Sequence, residues 1–352
     1  MKGLKTYLEQ KEDTAGRDPV ICTRTSLSRN ISGFRFDIRN RAADRKKILS
    51  LVKDAAGTLD ELKGYDFYNL QYLEVLKREL LAEENIITEP MVKKAGGRGV
   101  MFDLEKSRRL ITSVMINEED HLKIQGVTGG LDIRKTFTRI AGIEKKLEGC
   151  LNFAFDKDFG YLTSSPTLLG SGLEVSILAH LPGLVMSLNI NDLIKTLNRL
   201  NCTVQGYHIH DSEILGNMFL ISKESSLERN DSDTVEEMEA ICLNIIEQEK
   251  KQTEKLKKEK PINVVDNVFR SYGVVKHARL LSFEEGIELL SMLKLGLGMG
   301  ILDNLRVFDF YRLINIIVTS YLRSYLIDKN ATIDEVDQIR ADIIRKEIFM
   351  RE

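Results

Sequence analysis

The chain has 352 residues, 43% of them apolar and 30% charged, with a formal net charge of −2. This is the composition of a soluble globular protein with enough chain for one large domain or two modest ones. It offers no global electrostatic case for nucleic acid or an anionic membrane, and no apolar run approaches the roughly 20 residues that cross a bilayer. Met1 to Gln10 carries Lys2 and Lys5 but no apolar stretch, so it does not read as a secretory leader. Cys22, Cys150, Cys202 and Cys242 are widely spaced and form no C-x-x-C pair. Reduced thiols and a cytoplasmic location are expected, rather than a disulfide framework or a zinc site.

In chain order, residues 1–19 are polar and read as a short helix and linker. From Ala42 to Asn85 the pattern is helical, with Ile48, Leu51 and Val52 in one run, Leu70, Leu73, Leu76 and Leu80 in the next, and Gly57 and Gly64 between. Lys93 to Gly99 is a turn. Between Leu110 and Ser222 the signal is mainly strand: Val175, Ile177 and Ala179 alternate with Ser176 and Leu178, and Phe219-Leu220-Ile221 is β-rich. A helix begins near Asp233, where Asp233 and Glu236 have capping-box spacing, and buries Val235, Met238, Ile241, Cys242, Ile245 and Ile246. Beyond Glu247 that stripe stops, so the Lys/Glu-rich end up to Pro261 reads as solvated or as a bridge between domains. From Asp266 onward the chain is helical. Gly296-Leu297-Gly298-Met299-Gly300 follows a helical run and lacks phosphate-loop spacing, so it reads as helix termination.

One stretch carries chemistry. Leu110, Thr112, Val114 and Ile116 alternate with Ile111, Ser113 and Met115. Leu122 and Ile124 alternate with Lys123 and Gln125 beyond a polar break. This is a β-hairpin pattern, with Glu118, Glu119 and Asp120 at its tip. Carboxylates crowded in this way repel unless a cation joins them. A solvated acidic turn is the alternative.

Asn117-Glu118-Glu119-Asp120-His121-Leu122 resembles the central motif of the phosphagen (guanidino) kinases. Val20 to Asn30 resembles that family's opening strand, V-I-S-S-R-I-R-L-A-R-N. Gly160 to Thr167 with Leu169 to Leu173 is similar to G-Y-L-T-x-C-P-T-N-x-G-T-G-L. Glu213 to Phe219, Arg270 to Gly273, Glu288 to Ser291 and Asp337 to Ala341 resemble the bacterial protein-arginine kinase branch. The similarity runs in order from about Val20 to the C-terminus. It implies an α+β fold, an antiparallel β-sheet flanked by helices with a helical C-terminal domain. The expected division is an N-terminal segment over 1–19, a catalytic-domain-like region over 20–250 and the helical domain over 251–352.

The resemblance also implies ATP-Mg as phosphoryl donor and a guanidinium acceptor. Such a transfer needs a cationic cradle for phosphates, because its catalysis is largely positioning and electrostatics. It also needs carboxylates that orient the guanidinium and take a proton. Glu119 falls on a catalytic glutamate, and Glu118 and Asp120 on positions that help hold the nucleotide's metal. Arg24 matches one cradle arginine, and Lys123 stands for another. Ser26, Glu174 and Gln205 stand where the family has arginines, Asn85 where it has a nucleotide-contacting histidine, His210 at the second catalytic glutamate and Ser165 at the reactive cysteine. Two unit charges about 4 Å apart interact by about 4 kcal/mol at an effective dielectric of roughly 20. Arginine to glutamate at 174 therefore turns an attraction into a comparable repulsion, while the turn and scaffold motifs persist.

The expectation is a protein-arginine-kinase-like pseudokinase with weak or absent ATP binding, acting as a binding or regulatory subunit. Its partner would be an arginine-bearing protein or basic segment, such as an active protein-arginine kinase or its activator, with no nucleic acid and no membrane. A homodimer is also possible. With Glu174 near the acidic tip, the cleft is expected to be net negative and suited to a guanidinium. The alternative is an active ATP-dependent protein-arginine or guanidino kinase with a rebuilt cradle. His208 and His210, two apart with Asp211 beside them, could ligate a metal as a third reading, although spacing fixes no further ligand. The branch's R-D-x-x-R-A motif implies a phosphoarginine clamp at Asp337 and Arg340, but its first arginine is Val336 here. An amphipathic helix with Ile339, Ile343 and Ile344 inward is the competing account.

Overall fold

The computed structural model describes residues 19–36, 42–105, 110–207, 214–225, 227, 230–302, 305, 307–326, 328 and 330–349. The helix expected before Pro19, and His208, His210 and Asp211, lie outside the described residues. In chain order the elements begin with β1 (Val20–Arg29), α1 (Ala42–Thr58), β2 (Asp66–Asn69), α2 (Val75–Glu83) and α3 (Glu89–Lys93). Next come β3 (Gly99–Glu105), β4 (Leu110–Ile116), β5 (Leu122–Gly129), α4 (Ile133–Glu148), β6 (Phe155–Asp156), β7 (Gly160–Tyr161) and β8 (Leu173–His180). The second half contains α5 (Pro182–Met186), α6 (Ile190–Arg199), β9 (Cys202–Gly206), β10 (Met218–Glu224) and α7 (Asp231–Glu259). It closes with α8 (Ile262–His277), α9 (Phe283–Gly298), α10 (Phe310–Ile317), α11 (Thr319–Tyr325) and α12 (Ile333–Phe349).

Eight strands hydrogen-bond in the order β2-β3-β4-β5-β1-β8-β10-β9. β2 through β5 pair antiparallel, with Ile116 opposite Leu122 and Leu110 opposite Thr128 across the expected hairpin. This is the α+β class that the sequence implied. Every residue of β4 is buried, so its alternation does not mark one wet face. The continuous apolar run from Leu110 to Ile116 is that of a central strand.

The chain packs as two compact units assembled from separate stretches. One comprises residues 23–176 and 223–239; the other comprises 1–22, 177–222 and 240–352. In the first unit, α1 buries Ile48, Leu49, Val52 and Ala56. α4 buries Ile133, Ile140, Ile143 and Leu147, and Asp132 caps it by accepting the Lys135 amide. In the second unit, α9 starts at Ser282, whose hydroxyl accepts the Glu285 amide, and buries most of its residues.

Three local expectations need correction. Asp66–Asn69 is a strand rather than helix, because Phe67 and Tyr68 lie against β3 and the Tyr68 ring stacks on Phe102 at 5.6 Å. Tertiary pairing overrides the leucine spacing there. The span from Leu110 to Ser222 also holds a 16-residue helix, α4, whose stripe was present in the sequence but follows Gly129-Gly130 directly. Finally, the end of α7 is not uniformly solvated, since Glu249 and Leu256 are buried. The stop at Gly296 to Gly300 is as expected: α9 ends at Gly298 and Gly300 has φ +65°.

Candidate functional site

Within the first unit, three neighbouring strands present short rows of side chains. Side chains two apart on a strand share a face, which pairs Lys123 with Gln125 on β5, Arg24 with Ser26 on β1, and Glu174 with Ser176 on β8. The contacts show that these rows meet. The Lys123 ammonium lies 3.4 Å from the Glu174 carboxylate, and Arg24 lies 3.9 Å from its other oxygen. The Ser26 hydroxyl donates to Glu174 at 3.4 Å, and Arg24 Nε donates to Ser176 Oγ at 3.1 Å. Burial pushes the Glu174 carboxyl up, but Lys123, then Arg24, and the hydrogen bonds from Lys123 and Ser26 hold it below the usual carboxylate range. Glu174 is thus an ionised carboxylate seated on the two cations that the sequence singled out for phosphate. Its charge is paired with theirs, and Arg24, Lys123 and Glu174 together carry one formal positive charge.

Asn85 joins this face through β5. It follows α2 with φ +56°, and its carbonyl accepts a hydrogen bond from Gln125, which is two residues from Lys123. Gln205 is exposed on β9 and belongs to the other compact unit.

The hairpin tip forms as expected and sorts its three carboxylates. The Asn117 amide donates to the His121 carbonyl at 2.9 Å and closes the turn; Asn117 has φ +58°. Asp120 is buried, and one of its oxygens accepts from Asn30 Nδ2 at 2.6 Å and from the Ser164 amide at 2.7 Å. Glu118 accepts the Thr88 hydroxyl at 2.6 Å and caps the Glu119 amide at 2.8 Å. Glu119 is the exposed member. His121 anchors the whole turn: Nδ1 accepts the Ile31 amide at 2.9 Å, so Nε2 carries the proton toward the Arg35 carbonyl at 3.0 Å. Burial holds this imidazole below its ordinary pKa. Asn30 and His121 lie in the family motifs, but the sequence assigned no role to them, nor to Thr88 or Ser176. Ser176 carried a signal, being two residues from Glu174 on the same strand. Asn30 and His121 carried the signal of their motifs, and Thr88 is defined only by its contact with Glu118.

The turn motifs position this face. Gly172 has φ +67°, and a Cβ there would lie 2.5 Å from the Ser28 carbonyl oxygen. The Gly172 carbonyl in turn accepts the Ser28 amide at 2.9 Å, so β1 and β8 approach as only glycine permits. Arg29 fixes the same corner, paired with Glu144 at 2.8 Å and lying 3.6 Å above the Tyr161 ring. Ser165 is half-buried and its hydroxyl hydrogen-bonds the Thr167 hydroxyl at 2.9 Å.

At the C-terminal end, Arg340 is 1% exposed. It donates to the Ile317 carbonyl at 2.8 Å, the Leu281 carbonyl at 2.9 Å, the Thr319 hydroxyl at 2.9 Å and Asp337. Val336 is buried. The geometry of Arg340 is that of a latch inside the helical unit, with its fork already engaged. Among the described residues no group of His, Cys, Asp and Glu could hold a metal ion, and no helix is long and apolar enough to cross a membrane.

Comparison with known proteins places this geometry. Residues 47–252 match the family model described as ATP:guanido phosphotransferase, C-terminal catalytic domain, and residues 261–352 match that of the protein-arginine kinase McsB C-terminal domain. Among solved structures, a lombricine kinase superposes with a TM-score of 0.56 at 19% identity, covering 67% of this chain and 68% of that one. The duplicated taurocyamine kinase of Schistosoma mansoni with transition state analog components gives 0.57 at 24% identity; the match covers 68% of this chain but only 34% of that longer one. The fold is therefore that of the phosphagen kinases. The protein-arginine kinase of Halothermothrix orenii is 32% identical over 334 residues, covering 95% of this chain and 94% of the relative. That of Halalkalibacterium halodurans is 30% identical over 343 residues, covering 97% and 95%. This chain belongs to the ATP:guanido phosphotransferase family, in its protein-arginine kinase branch.

Proposed function

We propose that this protein is a catalytically impaired member of the branch that works as a binding or regulatory subunit, engaging an arginine-bearing protein or a basic segment. The observation that carries this reading is Glu174 seated on Lys123 and Arg24 at 3.4 and 3.9 Å. An internal carboxylate holds the cations that a triphosphate would need, and a nucleotide has to displace it before gaining their charge. The acidic tip supports the same reading. Asp120 is committed to Asn30 and Ser164, and Glu118 to Thr88, so the carboxylates that would share the nucleotide's metal are already engaged as structural ties. Glu119 is the exposed member of the tip, and an exposed carboxylate can meet a guanidinium.

The test is calorimetric titration of ATP-Mg. Weak or undetectable binding is expected for the native chain. Glu174→Gln frees Arg24 and Lys123 and should strengthen binding by about tenfold or more, since hydrogen bonds to charged groups contribute roughly 1.5–3 kcal/mol. Micromolar binding by the native chain, with phosphoarginine formed on a protein substrate and lost in Glu119→Gln, would overturn the proposal in favour of an active kinase with a rebuilt cradle.

A further inference from the structure

Residues 84–88, which join α2 to α3 in the first unit, reach two parts of the candidate site at once. The Asn85 carbonyl accepts the side-chain amide of Gln125, which shares its face of β5 with Lys123. Three residues later the Thr88 hydroxyl donates to Glu118 at 2.6 Å, and the other oxygen of Glu118 accepts the Glu119 amide at 2.8 Å. Between these tethers Ile86 and Ile87 are buried, and their amides both return to the Leu81 carbonyl, at 2.8 and 3.2 Å. Asn85 turns the chain through φ +56°, a left-handed conformation that asparagine adopts more readily than most residues. The segment is a strap, with apolar pegs in its middle and a polar tether on either side.

The strap starts at Glu84, which is 0% exposed and whose two carboxyl oxygens have no hydrogen-bond partner among the described residues. The charged groups on the surrounding elements are engaged with other partners or face solvent. On α2, Arg78 donates to the Val92 carbonyl of α3, and Lys77 and Glu79 are exposed. Glu89 and Lys93 on α3 pair with each other, and Arg98 donates to the Pro90 carbonyl. Lys123 on β5 is held by Glu174, and Glu118 by Thr88. Burial first, then the charge of Glu83, favours the neutral acid at Glu84. A carboxylate there would bear its desolvation with no cation to offset it.

We propose that Glu84 positions the candidate site through this strap, which docks only while Glu84 is uncharged. When Glu84 gives its proton to bulk water, the carboxylate draws out to solvent, Asn85 leaves Gln125 and Thr88 leaves Glu118. The Glu118 carboxylate is therefore tied at low pH and released to a ligand as the pH rises. This holds whichever ligand the site takes and whether or not it turns over. An acid that is neutral when docked and ordinary when released weakens docking above the usual carboxyl pKa of about 4.3, by up to about tenfold per pH unit, until the pH passes the docked value.

Amide hydrogen exchange of the full chain, read residue by residue between pH 5 and 8 and corrected for the intrinsic pH dependence of exchange, tests this. Protection at Asn85, Ile86, Ile87 and Glu119 should fall with pH at up to that slope, while β4 stays far better protected at every pH. Glu84→Gln cannot ionise, so its strap protection should not change with pH. Thr88→Val removes one tether without touching the buried acid, and it keeps the test decisive if the glutamine variant fails to fold. It should lower Glu119 protection roughly tenfold at every pH, as expected for losing a hydrogen bond to a charged group, and Thr88→Ser should restore it. Strap protection that is flat in the native chain, a slope that persists in Glu84→Gln, or a Glu119 amide unaffected by Thr88→Val would overturn the proposal.

Discussion

Glu84 shows how much a single carboxyl depends on packing. It closes α2 fully buried, and among the described residues neither of its oxygens has a hydrogen-bond partner. Burial first, and the neighbouring Glu83 second, push its pKa well above the ordinary value. An acid raised in this way stabilises the fold below its unfolded pKa, and that contribution is lost as the pH climbs toward the folded pKa. Relative to its value at pH 4, the stability gap between Glu84→Gln and the native chain should therefore open in the variant's favour above about pH 4.3 and widen toward pH 8. Urea denaturation at pH 4, 6 and 8 measures it. A variant that loses ground at pH 8 would mean that the carboxylate is paired. Nothing in the sequence separates Glu84 from Glu83. The direction each side chain faces at the end of a helix decides it.

At the scale of elements, a buried arginine helps hold the closing helix, beside the Arg312–Glu347 pair at 2.9 Å and the bond from Arg345 to the Ala278 carbonyl. Arg340 ties α12 to the end of α10, the start of α11 and the segment before α9. Arg340→Ala should cost about 3–5 kcal/mol of stability, the range for breaking a buried charged network. Lysine, a point charge without the planar fork, should recover only part of it. Chemical denaturation of both variants checks this. If alanine leaves stability unchanged while abolishing phosphoarginine binding, Arg340 is a ligand-binding residue instead of a latch. The sequence showed an Asp337–Arg340 pair at helical spacing. It could not show the carbonyls of Leu281 and Ile317 waiting for the guanidinium, because they come from segments 59 and 23 residues away.

For the molecule as a whole, the question is which ligand class the first unit prefers. Glu174 is neutralised internally and Glu119 is exposed, so an arginine-containing peptide should bind more tightly than ATP-Mg. That affinity should weaken as salt rises from low ionic strength to about 0.15 M, where charges are screened beyond roughly 8 Å. Glu119→Gln should weaken the peptide several-fold with little change in unfolding midpoint, since an exposed carboxylate contributes little to stability. Fluorescence anisotropy with a labelled peptide reads both effects. Unchanged affinity in Glu119→Gln would reduce the tip to an acidic turn.

Local pattern sufficed for the hairpin over Leu110–Gly129, for the helix termination at Gly298–Gly300 and for the family, whose motifs stand in chain order. Alternation, turn glycines and contiguous motifs are written within a few residues of one another. Tertiary structure alone decided where charges end up. Arg24 and Glu174 are 150 positions apart, yet strand order makes them partners. Glu249 lies in a Lys/Glu-rich helix end that reads as solvated, yet it is buried against the backbone of Gly183 and Leu184. An ion pair or a buried carboxylate leaves no periodic trace in the chain. Its energy depends on which distant segment arrives, and only the packed fold brings that segment into place.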